Sequence, residues 1–290
     1  MEFCVITDIK NGIGNIVLEI LVGLYFSKRL SLLTGNHYKY YGYLTDACMR
    51  GHSIIYTKDH ESAGMPHPLD MSSVFPNVKF IKELPNNLHN HHLCQSIDIG
   101  LFQNSKMVNI CVNHVEQTLL DIQNNLDILD DIKFNPNIYN YTRLKYNPTN
   151  KSIAIHVRLP QIGDSLNSNY PSIEWYKNAI KLIKEKHGSP DKVFLITGIS
   201  TAHNNTQGIV DNILSLLNTS FDGTRIINVT SEPYYVDMCI LSLSRSTIIT
   251  NSTFSLSSVF NEYTNDKIVI YPDILCTELK LVGFYRLNTS

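Results

Sequence analysis

The stretch KSIAIHVRLP, Lys151 to Pro160, decides the fold. Residues 152–157 form a short, almost wholly apolar run that ends in His156 and Val157 and leads straight into Arg158. An apolar run of strand length, with no polar face until its end, reads as a strand buried in a parallel sheet. Outward from it the pattern alternates: helix 173–187, strand 192–197, helix 207–217 and strand 225–229, then helix 233–244, strand 247–250, helix 254–263 and strand 267–271. Strands spaced by helical periods imply right-handed βαβ units around a mainly parallel sheet.

The first half is less regular. Residues 2–7 (EFCVIT) predict a strand, Gly12-Ile13-Gly14-Asn15 a tight turn, and Ile16, Ile20, Leu21 and Leu24 a helix. Further strands are expected at 53–57, 78–81 and 107–112, with a helix over 114–129. Residues 58–93 carry four prolines and read as long loops, and residues 135–150, with Pro136 and Pro148, read as a linker. The expected fold is therefore α/β, with two Rossmann-like domains facing a cleft, over residues 1–145 and 146–290. Ligands of open α/β sheets bind beyond the carboxyl ends of the strands.

Composition narrows the function. The 290 residues suggest about two domains, and 43% hydrophobic residues suffice for a core in each. A formal net charge of -2 supplies no global positive field for nucleic acid or an anionic membrane. The six cysteines show no C-x-x-C pair or zinc-like spacing, which fits a reducing compartment and predicts no structural metal. The longest apolar run, residues 16–24, is about half a membrane span and contains Glu19, so no signal peptide or anchor is expected. A soluble, cytoplasmic protein follows. Asn makes up roughly a tenth of the chain, and its Asn-x-Ser/Thr triplets read as a consequence of biased composition.

Four constellations carry chemistry. His156 and Arg158 emerge at the carboxyl end of a buried strand, where Arg offers a donor fork matched to phosphate oxygens; a structural ion pair and a core histidine are the alternative. Asp237 is the single charge on the apolar segment 234–243, so a partner must satisfy it. Guanine suits it, because N1–H and N2–H both donate to one carboxylate, although an Arg, a Ser or plain exposure would also serve. Asn251-Ser252-Thr253-Phe254-Ser255 joins a strand to a helix and offers hydroxyls and free N–H groups to an anion, or else ordinary capping. Gly12-Ile13-Gly14-Asn15 lacks the third glycine of a dinucleotide fingerprint, and a turn needing flexible residues explains it. His89-Asn90-His91-His92 reads as a solvated loop, and no Asp-x-Asp pair is present to hold a divalent ion on a diphosphate.

Residues 231–260, SEPYYVDMCILSLSRSTIITNSTFSLSSVF, resemble the α-1,2-fucosyltransferase family and its relatives with other fucose linkages. The match follows the family's Ser-Glu-Pro, Asp-Met, Leu-Ser and Asn-Ser-Thr-Phe-Ser pattern without a gap. His156-Val157-Arg158 resembles the start of the His-x-Arg-Arg-Gly-Asp motif, and Gly12-Ile13-Gly14-Asn15 the Gly-x-Gly-Asn loop. The resemblance implies two facing Rossmann-like domains of the GT-B type, a GDP-sugar donor held mostly by the second, a glycan acceptor, and metal-independent transfer with inversion and no cofactor. It places His156 and Asp237 on guanine and Arg158 on the diphosphate. Asn251, Ser252, Thr253 and Ser255 go near the phosphates, and Gly12, Gly14 and Asn15 on the donor.

The chain departs from the pattern at Leu159, where the family has its second arginine, and the Gly-Asp pair follows only at Gly163-Asp164. Arg29, Arg245 and Lys10 are candidate replacement cations. Leu256 and Ser257 stand where the family carries tryptophans. The expected catalytic residues are Arg158 and Asp164, with Asp8, Glu19 and Asp164 as candidate bases and residues 58–93 and 165–171 as acceptor loops. A GT-B transferase for another nucleotide sugar, and a GDP- or glycan-binding protein without transfer, stay open as alternatives.

Overall fold

The structure is a computed structural model that describes residues 3–48, 54–84, 89–93, 105–112, 126–159, 170–197, 206–273, 279 and 281–289. The chain forms two compact units, Met1–His52 with Leu69–Asn135, and Ser53–Pro68 with Pro136–Ser290.

The first unit holds a five-stranded sheet in the order β3-β2-β1-β5-β4, made of β1 (Phe3–Asn11), β2 (Tyr38–Cys48), β3 (Phe80–Ile81), β4 (His89–Leu93) and β5 (Met107–Val112). Every pairing is parallel. Helix α1 (Ile13–Thr34) crosses from β1 to β2, and Val17, Leu18, Ile20 and Leu21 are all buried. A helix with no wet face in its first half belongs inside a domain. It ends at Gly35, whose φ of 70° is the left-handed cap that glycine favours.

Several expectations for this unit are corrected. Neither Gly12 nor Gly14 has positive φ: Gly12 is an extended cap at φ -83° and Gly14 lies in the first helical turn. Residues 54–57 form no strand; Thr57 instead caps helix α2 (Lys58–Ser62), in the second unit. The missing strand is β2, whose tyrosines and lysine conceal its period. Gly42 sits there because a Cβ would lie 2.8 Å from the Phe80 ring and 3.1 Å from Ile9. The His89–His92 segment is a strand rather than a loop, and its side chains lie outside the described residues. Residues 58–93 also contain the short helix α3 (Met71–Val74). Of the expected helix 114–129, residues up to 125 lie outside the described residues, and Leu126–Ile132 is a 3-10 turn.

The second unit begins its main run with α4 (Pro136–Lys145), inside the stretch that reads as a linker. Pro136 opens the helix, in the first turn where the N–H has no intrahelical acceptor to lose. Then follow β6 (Ser152–Val157), α5 (Ile173–His187), β7 (Lys192–Thr197), α6 (Thr206–Ser220) and β8 (Arg225–Val229). The second run is α7 (Tyr234–Leu243), β9 (Ser246–Ile248), α8 (Thr253–Asn261), β10 (Ile268–Pro272) and β11 (Phe284–Leu287). The sheet order is β8-β7-β6-β9-β10-β11, again all parallel. Counted from β6 this is 3-2-1-4-5-6, the doubly wound order, whose switch point falls between β6 and β9.

The core joins Ile153, Ile155 and Val157 of β6 to Trp175, Ile180 and Ile213 of the flanking helices. Lys267 is buried at the far end of α7, where its ammonium donates to the carbonyls of Leu241 (3.1 Å), Ser242 (2.5 Å) and Ser244 (3.0 Å). A cation on the last carbonyls of a helix answers both the orphan acceptors and the dipole.

Candidate active site

The switch point positions the site. Strand β6 is buried along its whole length, and β6 and β9 run side by side in register, with Ile155 opposite Ile248. The chain therefore leaves both strands at the same carboxyl edge. His156 is 6% exposed; its Nδ1 lies 3.2 Å from Thr250 Oγ1 and its ring packs at 5.3 Å on Phe254. Burial, reinforced by the charge of Arg158, pushes its pKa down to about 3, so the ring is neutral at physiological pH. Arg158 Nη1 donates to the carbonyl of Asn251 at 3.0 Å, and its guanidinium stands 6.0 Å from the Tyr170 ring. The His156-Arg158 and Asn251–Ser255 segments, 93 residues apart, thus share one corner of the sheet.

Helix α8 starts there. Its cap residue, Ser252, is extended and makes no side-chain capping bond, so ordinary capping by that hydroxyl does not occur. Thr253 is exposed in the first turn. Ser255 is fully buried and its hydroxyl donates to Ser252 O at 3.2 Å, which commits it to the helix start rather than to a ligand. An uncapped helix start beside a guanidinium is an anion-binding arrangement.

Asp237 lies in the first turn of α7. Its Oδ1 is buried and has no hydrogen-bond partner among the described residues. A helix N-terminus favours a carboxylate by about 0.3 to 1 kcal/mol. Burial opposes this more strongly, and the nearby Glu232 charge adds to it, so the Asp237 pKa is raised well above the ordinary 3.8.

Glu232 went unrecognised in the sequence. It is 5% exposed, and four donors converge on it: Lys145 Nζ at 2.5 Å, Tyr146 OH at 2.6 Å, His60 Nε2 at 3.1 Å and Tyr141 OH at 3.4 Å. The Thr57 backbone N–H donates to His60 Nδ1 at 2.9 Å, so the ring proton is on Nε2 and points to Glu232. Tyr235 OH and Tyr234 OH donate to the carbonyls of Pro66 and Pro68, each at 2.7 Å. These bonds tie residues 60–68 to the start of α7. The one clue in the sequence is the Glu-Pro pair preceding the helix; the donors come from two separate stretches, residue 60 and residues 141–146. Ser231, just before it, has φ 62°, a conformation uncommon outside glycine.

The remaining candidates are dispersed. Leu159 is 3% exposed within the core. Arg245 is bound to Asp266 O at the amino end of β9, the opposite edge from Arg158, and so is no replacement cation at this corner. Arg29 is exposed about 24 Å along α1 from the helix start, from the helical rise. The side chain of Lys10 lies outside the described residues, as do Gly163, Asp164 and residues 165–169 of the acceptor loop. In the first unit Asp8 is half-buried and accepts from Asn109 Nδ2 at 3.4 Å, and Glu19 is 2% exposed within α1. Burial, with the charge of Glu19, pushes the Cys48 thiol up to about 11.

The chain has an α/β fold with two parallel sheets, and it shares that fold with solved fucosyltransferase structures. Similar solved structures are NodZ α-1,6-fucosyltransferase co-crystallised with GDP, at 15% identity over 89% of this chain and 92% of that one (TM-score 0.50). A mutant of FUT1 from Arabidopsis thaliana in complex with GDP is 14% identical over 90% of this chain and 69% of that one (TM-score 0.50). No protein-family profile matches the sequence. No curated protein matches it either. Among the described residues no three His, Cys, Asp or Glu side chains are grouped to hold a metal ion, and no helix is long and apolar enough to cross a membrane.

Proposed function

We propose that this chain is a glycosyltransferase that moves fucose from GDP-fucose to a glycan hydroxyl with inversion. One observation carries the reading: Arg158 is bonded to Asn251 at the switch point, beside the uncapped start of α8. In this reading Arg158, Ser252 and Thr253 take the diphosphate, with Asn251 fixing the turn. Neutral His156 and Asp237 take the guanine, and Gly12, Gly14 and Asn15 contact the donor. The fold shared with GDP-bound fucosyltransferases supports the choice of nucleotide.

The acceptor oxygen attacks the anomeric carbon as the bond to the β-phosphate oxygen breaks, and that oxygen keeps the electron pair. Arg158 and the helix dipole stabilise the charge that develops there. The acceptor proton leaves to a carboxylate, with Asp164 and Asp8 as the residues to replace in testing this. Divalent metal is not required in this reading, because the diphosphate charge is met by the guanidinium, the hydroxyls and the helix start.

The test is a thermal-shift panel of GDP, UDP, CMP and dTDP followed by turnover of GDP-fucose. A ligand at about 100 times its Kd adds ~2.7 kcal/mol to the folded state. GDP should raise the Tm most. Leu159 favours a second reading: its burial in the core leaves no cation at the family's second arginine position. Tight GDP binding without hydrolysis or transfer to any acceptor would establish that binding role instead.

A further inference from the structure

His156 and Thr250 are both buried at the carboxyl edge of the second sheet, 6% and 0% exposed. Ile155 lies opposite Ile248, so the chain leaving β9 passes beside His156, and Thr250 Oγ1 comes to 3.2 Å from its Nδ1. Among the described residues this is the one hydrogen bond that either side chain makes, and Nε2 on the far side of the ring has no partner there.

Counting donors decides the direction of that bond. A neutral imidazole has one N–H and one bare nitrogen, and a hydroxyl has one proton and two lone pairs. If Nδ1–H donated to Thr250, the hydroxyl proton would be buried without an acceptor, a costly group to leave unmet. If Thr250 donates to Nδ1 instead, that proton is used and the ring proton sits on Nε2. The doubly protonated ring is disfavoured by burial and by Arg158, which hold the pKa at about 3. Phe254, whose ring packs at 5.3 Å, supports the imidazole in this orientation.

We propose that Thr250 is a positioning residue for base recognition: it locks His156 as the Nε2–H tautomer, an uncharged donor that selects a purine carrying an acceptor at O6. The inference rests on the assignment of His156 and Asp237 to guanine. Guanine carries the O6 acceptor beside the N1–H and N2–H donors given to Asp237, whereas adenine carries a donating amino group in place of O6. The Nε2–H therefore meets guanine and opposes adenine. Asp237 reads the donors of the base edge and His156 its acceptor, so the two residues answer to different changes in the nucleotide.

The experiment has two readouts. Long-range proton–nitrogen correlation spectra of isotope-labelled histidine, with His156 assigned by its loss in H156Q, read the tautomer in the ligand-free protein. Calorimetric titration gives the Kd of GDP, IDP and ADP for wild type, T250V and T250S. The wild-type ring should carry its proton on Nε2, T250V should populate the Nδ1–H form, and T250S should restore the wild-type pattern. The preference for GDP over ADP should fall about tenfold in T250V. The preference for GDP over IDP should stay, because both carry O6 and differ only in the amino group read by Asp237. An Nδ1–H tautomer in the wild type overturns the proposal without recourse to any variant. A T250V protein in which all three affinities fall alike overturns it too, since that is the mark of a purely structural hydroxyl. The expected tautomer in a wild type that binds GDP no better than ADP overturns the guanine assignment, and base selection by His156 with it.

Discussion

Replacing Asp237 by Asn should make the ligand-free protein more stable and its GDP complex weaker. The carboxyl has an oxygen buried without a partner among the described residues and a pKa well above 3.8, from burial first and Glu232 second. The folded state therefore holds a proton that the unfolded chain gives up at an ordinary carboxylate pH. Stability from this group is complete below that value and is lost as pH rises towards the raised pKa. Asn cannot ionise, so at pH 7 D237N escapes the loss. An unsatisfied buried polar group costs about 1 to 3 kcal/mol, and the amide still leaves part of its hydrogen-bonding capacity unmet. A net gain of ~1 kcal/mol, or roughly 2 to 4 °C in Tm, is expected at pH 7 and should vanish near pH 4. The amide also loses a charge-assisted contact with guanine worth about 1.5 to 3 kcal/mol, so the Kd for GDP should rise roughly 10- to 100-fold. Thermal unfolding with and without GDP reads both effects. A D237N protein less stable at pH 7 that binds GDP like wild type would refute the reasoning.

Arg158→Ala should weaken GDP by about 1.5 to 3 kcal/mol and free the Asn251 carbonyl, with GMP less affected because it lacks the second phosphate; equal losses for both nucleotides would contradict a diphosphate role. The low pKa of His156 makes it a liability in acid: the unfolded chain takes up a proton below about 6.5 that the folded state refuses until about 3, so stability falls with pH across that window. His156→Asn should flatten this slope in a pH series of urea unfolding. Lys267→Met leaves three carbonyls at the end of α7 without their donor and should lower stability by about 2 to 5 kcal/mol. Leu159→Arg should destabilise by several kcal/mol and restore no activity, because that side chain is buried in the core; a folded, more active variant would reverse this.

The second sheet was legible because each of its central strands is a buried apolar run between amphipathic helices, so the period changes wherever the structure does. The first sheet was legible in part: β1, β3 and β5 fall on expected strands, whereas β2 and β4 do not. Tyr38–Cys48 alternates tyrosine with lysine, glycine and threonine, and its burial comes from neighbours that local pattern does not reveal. Pro136 reads as punctuation although it opens a helix. At the site, His156, Arg158 and Asn251 stood out because polar residues at the end of an apolar strand are conspicuous. Asp237 stood out because it is alone on an apolar helix. Glu232 was hidden: its four donors lie at positions 60, 141, 145 and 146, and only the folded chain brings them together. The sense of Leu159 was likewise invisible until its burial was known.

The central claim is that the β6–β9 switch point binds a guanine nucleotide diphosphate. Calorimetric titration of the protein with GDP and with UDP tests it most directly. The account predicts saturable GDP binding at least about tenfold tighter than UDP, a difference of ~1.4 kcal/mol, that is lost in D237N. Equal affinity for the two nucleotides, or a preference for UDP, would contradict it.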